Sequence, residues 1–152
     1  MTGAALPTIH ASAVLIGARA VLIRGAAGSG KSSLALAVIQ AGQNGTFPFT
    51  RLVGDDRMHV EAAHGRLLVR PAETLAGLIE VRGLGIRRVP FERLAAVGLV
   101  IDLGALDAER LPAPDSAVAE VAGITLPRLG VAACADAFGV LFAALRTAES
   151  GI

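Results

Sequence analysis

Three glycines, one lysine and one serine stand at a spacing that suits phosphate chemistry. Gly25-Ala26-Ala27-Gly28-Ser29-Gly30-Lys31-Ser32 fits the pattern G-x-x-x-x-G-K-[ST] at every required position. Glycines let consecutive backbone N–H groups turn inward and approach phosphate oxygens that a bulkier residue would obstruct. A lysine placed after them supplies a point charge at the β- and γ-phosphates, and the serine hydroxyl is placed to bind Mg²⁺. Ser33 continues the same run into the first turn of a helix-favouring stretch. Lys31 is the only lysine among fourteen Lys and Arg residues, so it does not reflect a lysine-rich composition. The competing reading is a glycine-rich strand-to-helix turn with an incidental lysine.

Phosphoryl transfer also needs a metal, charge stabilisation and a positioned acceptor, and the chain offers three acidic candidates for these tasks. Asp55-Asp56 follows Leu52-Val53-Gly54. Two adjacent carboxylates repel, and such a pair suits proton transfer, although an ordinary polar turn would also carry it. Glu80 lies inside an otherwise apolar strand, and period-two geometry places Glu80 and Arg82 on one face. That pair is either a metal ligand beside a phosphate binder or an internal ion pair. Asp102 ends Val97-Gly98-Leu99-Val100-Ile101, a pattern that resembles the metal-side strand of nucleotide-binding proteins. Residue physics alone leaves Asp55 and Asp102 as rivals for that role.

The elements that must position these residues are legible in outline. Thr8–Leu15 and Ala20–Ile23 form an antiparallel hairpin that feeds the glycine loop. Ser32–Ala41 is a helix, with Gly42 as its stop. Gln43–Thr50 is a loop, and Arg51–Gly54 is a short strand rising into Asp55. Met58–Ala62 and Leu67–Arg70 pair across a turn at His64-Gly65-Arg66, which leaves His59 and His64 on the surface. Pro71–Ala76 forms a helical turn, Leu78–Arg82 a strand, Pro90–Ala96 a short helix and Ala96–Leu103 an apolar strand. Gly104–Ser116 is a mobile loop, Glu120–Leu126 a strand, and Ala133–Ala148 a final helix with Val140, Leu141 and Leu145 on its apolar face.

Composition narrows the class. At 152 residues the chain is one domain, 1–152, long enough to bury its own core. Hydrophobic residues make up 53%, yet no uninterrupted apolar run reaches membrane-spanning length, so no membrane partner is expected. No secretion signal is visible at the N-terminus. Net charge is +1, with five Phe and no Trp or Tyr, which argues against a stacking platform for nucleic acid. The single cysteine, Cys134, cannot form an internal disulfide and reads as a small buried residue. These features suit a cytoplasmic protein.

Taken together, His10 at its offset before Gly25, the loop Gly25–Ser32, Leu52-Val53-Gly54-Asp55-Asp56-Arg57 and Ile79-Glu80-Val81-Arg82-Gly83-Leu84-Gly85-Ile86 resemble the bacterial HPr kinase/phosphorylases. The resemblance covers the family's catalytic domain, without its N-terminal domain. It implies an α/β fold, a P-loop kinase-like domain with a mixed β-sheet flanked by helices. It implies ATP and Mg²⁺ as cofactors, and as partner the phosphocarrier protein HPr or a homologue, phosphorylated on serine. Lys31 and the loop would hold the phosphates, and Ser32 and Glu80 the metal. Asp55 would be the general base, supported by Asp56 and His10. Arg110 would match a family arginine that stabilises the transferred group, and Asp102 would be structural. A homo-oligomer, a hexamer in the family's pattern, is also implied. Ser33 stands where the family usually has Glu, Ala27 stands where Ser is common, and Gln43–Thr50 is longer than usual. A glycine- and arginine-containing turn is reduced to Leu126-Pro127-Arg128-Leu129-Gly130. A kinase with another acceptor and an ATP sensor without turnover are the alternatives.

Overall fold

The computed structural model describes residues 7–147. In chain order the elements are β1 (Ile9–Ile16), β2 (Arg19–Arg24), α1 (Lys31–Gln43), β3 (Thr50–Gly54), β4 (Arg57–Ala63), β5 (Arg66–Pro71), β6 (Leu78–Val81), β7 (Gly85–Arg88), β8 (Ala95–Leu103), β9 (Val118–Val121), β10 (Ile124–Val131) and α2 (Ala137–Arg146). Short 3₁₀ turns lie at Glu73–Leu75 and Pro114–Ala117.

A mixed sheet forms the centre. β1 pairs antiparallel with β2 and with β3, β2 runs parallel to β8, and β8 runs parallel to β10. β9 closes the far edge as a hairpin with β10. The β4–β5 hairpin then bridges from the start of β1 to the start of β8, so it folds over one face. Helices α1 and α2 cover the other face. The fold is therefore mixed α/β with helices on one side only, because the β4–β5 hairpin takes the place of a helical layer on the other.

Period-two alternation divides the central strands between two cores. Ala11, Ala13, Ala20 and Leu22 face the hairpin side with Met58, Leu67 and Val69. Val14, Val21, Ile23 and Ile101 face α1 with Leu34, Ala35 and Val38. Each fully buried Leu or Ile contributes about 1.5–3 kcal/mol over an exposed one. On α2, Leu141 is fully buried while Val140 and Leu145 are exposed. The helix instead turns Phe138 and Phe142 onto Phe47, with ring centroids 6.0 and 5.9 Å away.

Four elements differ from the sequence expectation. Gly42 does not stop α1, which continues to Gln43 and is capped at Asn44. Its role is close packing, since a Cβ there would lie 1.8 Å from Thr50 Oγ1. Residues 90–94 form no helix, and Phe91 instead bridges to Leu52. Glu120–Leu126 is not one strand but the hairpin of β9 and β10, turning at Ala122 (φ 49°) and Gly123 (φ 81°). The final helix begins at Ala137 and not at Ala133, because Asp136 caps it by accepting from the Gly139 N–H at 2.9 Å. Ala148, its expected end, lies outside the described residues. Cys134 sits ahead of that cap, exposed and with φ 64°, so it is not the buried residue that its apolar neighbours suggest. Among the described residues no helix is long and apolar enough to cross a membrane.

An ion cluster ties β2, β8 and β10 together just below the glycine loop. Arg24 donates from Nε and Nη2 to the two Asp102 oxygens at 2.7 and 2.9 Å. Arg128 donates to Asp102 at 2.5 Å and reaches Asp107 and the Ser116 carbonyl, which pins both ends of the segment between β8 and β9. The stretch Leu126–Gly130 is thus a strand with a structural arginine and not a reduced turn. Burial alone would lift the Asp102 carboxyl, but the hydrogen bonds from Arg24 and Arg128 outweigh it and hold the group below its usual 3.8. A carboxyl lowered in the folded state binds fewer protons there than in the unfolded chain. Its stabilising contribution is complete above 3.8 and is lost as pH falls through the lower folded value. Asp102→Asn is expected to cost about 2 kcal/mol at neutral pH and to flatten the acid limb of stability. Urea unfolding from neutral pH down to pH 2 checks both; an unchanged acid limb would remove Asp102 from the account.

Candidate active site

The loop Gly25–Ser32 joins the end of β2 to the start of α1. Gly28 (φ 80°) and Gly30 (φ 101°) take left-handed backbone that side chains disfavour. At Gly25 the restriction is steric: a Cβ would come within 2.4 Å of Ser29 Oγ. Helix α1 has neither a side-chain cap nor an acidic residue in its first turn, so its orphan N–H groups and dipole favour an anion. Lys31 is only 5% exposed, and its Nζ donates to the Gly25 and Ala26 carbonyls at 2.9 and 3.2 Å. The ammonium is therefore held inside the curve of the loop.

Asp55 is the centre of the hydrogen bonding. It is 6% exposed at the end of β3. A buried carboxylate needs donors, and three elements supply them. Ser12 of β1 donates to Oδ1 at 2.6 Å. Ser32 of α1 shares its single hydrogen between the two oxygens at 2.7 and 2.8 Å. The Glu80 N–H of β6 donates to Oδ2 at 3.0 Å. The next residue, Asp56, turns outward in left-handed backbone (φ 68°), which Asp tolerates better than most residues. That turn is fixed by the Asp56 N–H donating to Ser12 Oγ at 3.1 Å. His10 lies 3.7 Å from the Asp56 carboxylate, with both side chains more than half exposed.

Two cavities meet at this centre. One, of about 230 Å³, is lined by loop residues from Ala27 to Ser33 together with Asp56, Glu80 and Arg82. The other, of about 170 Å³, lies between Asp55, Asp56, Leu78 and Ile86. The structure so assembles Gly25–Ser33, Asp55, Asp56, His10 and Glu80. Arg110 is not brought in: it is exposed on the pinned segment between β8 and β9 and lines neither cavity. Arg82 is the guanidinium beside the loop, one residue beyond β6, on the same side as Glu80 as period-two geometry implies.

The residues present fit a phosphate chain with a hard cation. Ser29 Oγ is buried with no partner among the described residues, as in a loop shaped around an anion. Ser32, Asp55 and Glu80 offer oxygen only, the donor type Mg²⁺ takes. Among the described residues no three His, Cys, Asp or Glu side chains converge to cage an ion alone. Magnesium is ordinarily held by one or two carboxylates, with substrate phosphates and water completing the shell.

Sequence reasoning missed Ser12. The only signal was a hydroxyl in the apolar run Ala11-Ser12-Ala13-Val14. Its importance shows in burial: Ser12, Lys31 and Asp55 are the buried polar or charged residues of the described chain, and all three meet here. Ser12→Ala removes a donor from Asp55 and strands the Asp56 N–H, at an expected cost of about 2 kcal/mol. Ser12→Thr keeps the hydroxyl and should recover most of it. Hydrogen exchange at the Asp56 amide reads this directly, fast in the alanine variant and slow in the other two; equal exchange in all three contradicts the assignment.

Comparison with known proteins places the chain in a family. The family model described as the HPr Serine kinase C-terminal domain matches residues 4–94. HPr kinase/phosphorylase of Streptococcus thermophilus is 42% identical over 80 residues, covering 52% of this chain and 24% of that protein. The Clostridium tetani protein of the same name is 37% identical over 83 residues, 55% of this chain and 24% of the relative. The chain thus matches about a quarter of the length of these relatives. The solved Hpr(Ser) kinase/phosphatase from Coxiella burnetii superimposes with a TM-score of 0.71 at 26% identity, covering 92% of this chain and 94% of that one. The mixed α/β fold is shared with the solved Coxiella burnetii protein, and this chain belongs to the HPr serine kinase C-terminal domain family.

Proposed function

We propose that this chain is a P-loop kinase-like catalytic domain of the cytoplasm that transfers the γ-phosphoryl group of ATP to a serine of HPr or a related phosphocarrier. The observation that supports it best is the position of Asp55. One side of this carboxylate holds the Ser32 hydroxyl of the phosphate loop, and the other borders the cavity beside Ile86. A carboxylate at that junction can touch both the nucleotide's end of the site and an incoming hydroxyl.

In the forward direction the serine oxygen attacks the γ-phosphorus, the bond to the β–γ bridging oxygen breaks, and ADP leaves with that electron pair. The serine proton passes to Asp55, whose lone pair becomes free when Ser32 withdraws its shared hydrogen. Asp56 and His10 hold the mouth of the site on the acceptor side. In reverse, an oxygen of hydrogen phosphate gives its proton to Asp55 and attacks the phosphorus of phosphoserine; the serine O–P bond breaks, the serine oxygen leaves with that electron pair and takes the proton from Asp55, and pyrophosphate forms. Mg²⁺, held by Ser32 and Glu80, would neutralise charge on the β- and γ-oxygens. Lys31 and the α1 N-terminus bind the phosphates, so positioning and fixed charge supply most of the acceleration. We assign to Arg82 the transferred-group charge expected of Arg110, since Arg82 lines the phosphate cavity.

Phosphoserine formation on HPr from Mg·ATP, with each variant compared to wild type, tests these roles. Asp55→Asn should fold and bind ATP but lose about a thousandfold in transfer. Lys31→Ala and Arg82→Ala should each lose about a hundredfold, near 3 kcal/mol. Arg110→Ala should stay within about twofold, as a surface residue outside the site. Full activity of Asp55→Asn would remove it as the base. Equal losses at positions 82 and 110 would undo the choice between the arginines.

A further inference from the structure

Every residue of β7 is exposed, although it is a strand. It pairs with β6 alone, in a two-stranded sheet apart from the main one. β6 is anchored, since Ile79 is buried in the core on the α1 side and the Glu80 N–H donates to Asp55. Nothing in the described chain buries β7, and a lone hairpin is marginal in water. Ile86 and the turn residue Leu84 are 63% and 61% exposed. Arg87 and Arg88 make no ion pair among the described residues. We propose that β7 is a docking strip for the protein that carries the acceptor serine. Ile86 covers an aliphatic side chain beside that serine, and Arg88 holds a carboxylate of the same protein. This assignment rests on the kinase function above.

Register separates the two arginines. Leu78 lies opposite Arg88 and Glu80 opposite Ile86, so these four side chains share one face. Leu78, Glu80 and Ile86 line the 170 Å³ cavity beside Asp55, so Arg88 stands on the cavity side. Arg87 lies opposite the buried Ile79 and therefore on the other face. The occupant follows from position. With the serine oxygen at Asp55, the neighbouring side chain meets Leu75, Leu78 and Ile86, all aliphatic. The strip then runs about 7 Å along the strand from Ile86 to Arg88, further than a single amino acid extends, so a protein surface is needed to fill it. A guanidinium there matches a carboxylate in charge and in its forked geometry. A second copy of the chain seated on β7 would cover the mouth of the cavity and exclude the acceptor.

Steady-state kinetics with HPr as the varied substrate, at saturating Mg·ATP, test the assignment. Physiological ionic strength screens charges beyond about 8 Å, which isolates contacts from long-range attraction. Arg88→Glu should raise KM for HPr at least about tenfold with kcat unchanged, the mark of lost docking. Arg87→Glu makes the same charge change on the other face and should stay within about twofold. Among HPr variants with single acidic residues changed to Lys, one should restore Arg88→Glu while weakening the wild type. An unchanged KM in Arg88→Glu, equal effects at positions 87 and 88, a loss confined to kcat, or no rescue by any HPr variant overturns the docking strip and leaves the kinase reading intact. A changed sedimentation mass of Arg88→Glu makes β7 a contact between copies and overturns it as well. If the wild-type chain leaves HPr unphosphorylated, the kinase reading fails and the docking strip with it.

Discussion

A carboxylate buried at the end of a strand must be surrounded by donors, and Asp55 imposes that requirement on the whole site. Its 6% exposure leaves little water to solvate it. The hydroxyls of Ser12 and Ser32 and the N–H of Glu80 answer from β1, α1 and β6, which are far apart in sequence. Loss of any one of the three takes a donor from a buried carboxylate. The glycine loop, the outward turn at Asp56 and the strand carrying Glu80 therefore converge on a single group. Breaking such a set is costly because the remaining partners stay buried.

The scaffold serves that arrangement. Pairing of β1 with both β2 and β3 brings Ser12 beside Asp55 and aims the loop at it. The Asp102 cluster holds Arg24, the residue before the loop, and the end of β10 in register with it. The same cluster pins the segment between β8 and β9, which leaves Arg110 outside the site, whereas Arg82 lines the cavity beside the glycine loop. One carboxylate thus gathers the donors of the candidate site and the other holds the strands beneath it. Adjacent residues decide which is which: Asp55 faces hydroxyls and an amide, whereas Asp102 faces two guanidinium groups.

Much of this was legible in the residues. The glycine loop, its flanking strand and helix, the hairpin of β1 and β2, and the shared side of Glu80 and Arg82 follow from local spacing. Resemblance singled out Asp55 over Asp102; in the structure Asp55 lies against Ser32 of the glycine loop and Asp102 is held by Arg24 and Arg128. What failed did so for non-local reasons. Gly42 reads as a stop but packs against Thr50. Cys134 reads as buried but precedes a cap set by Asp136. The helices cover one face only, because a hairpin that local propensity describes correctly crosses the other. Ser12 carries no motif, and its role exists only once β1 and β3 are paired.

The central claim is that a buried base and a phosphate loop meet at the acceptor's point of entry. The most direct measurement is mass spectrometry of HPr after incubation with Mg·ATP and the wild-type chain, with fragment spectra locating the modification. The account predicts one added phosphoryl group on a single serine, removed again when phosphate is supplied in excess and pyrophosphate appears. Tight ATP binding with HPr left unmodified would contradict it.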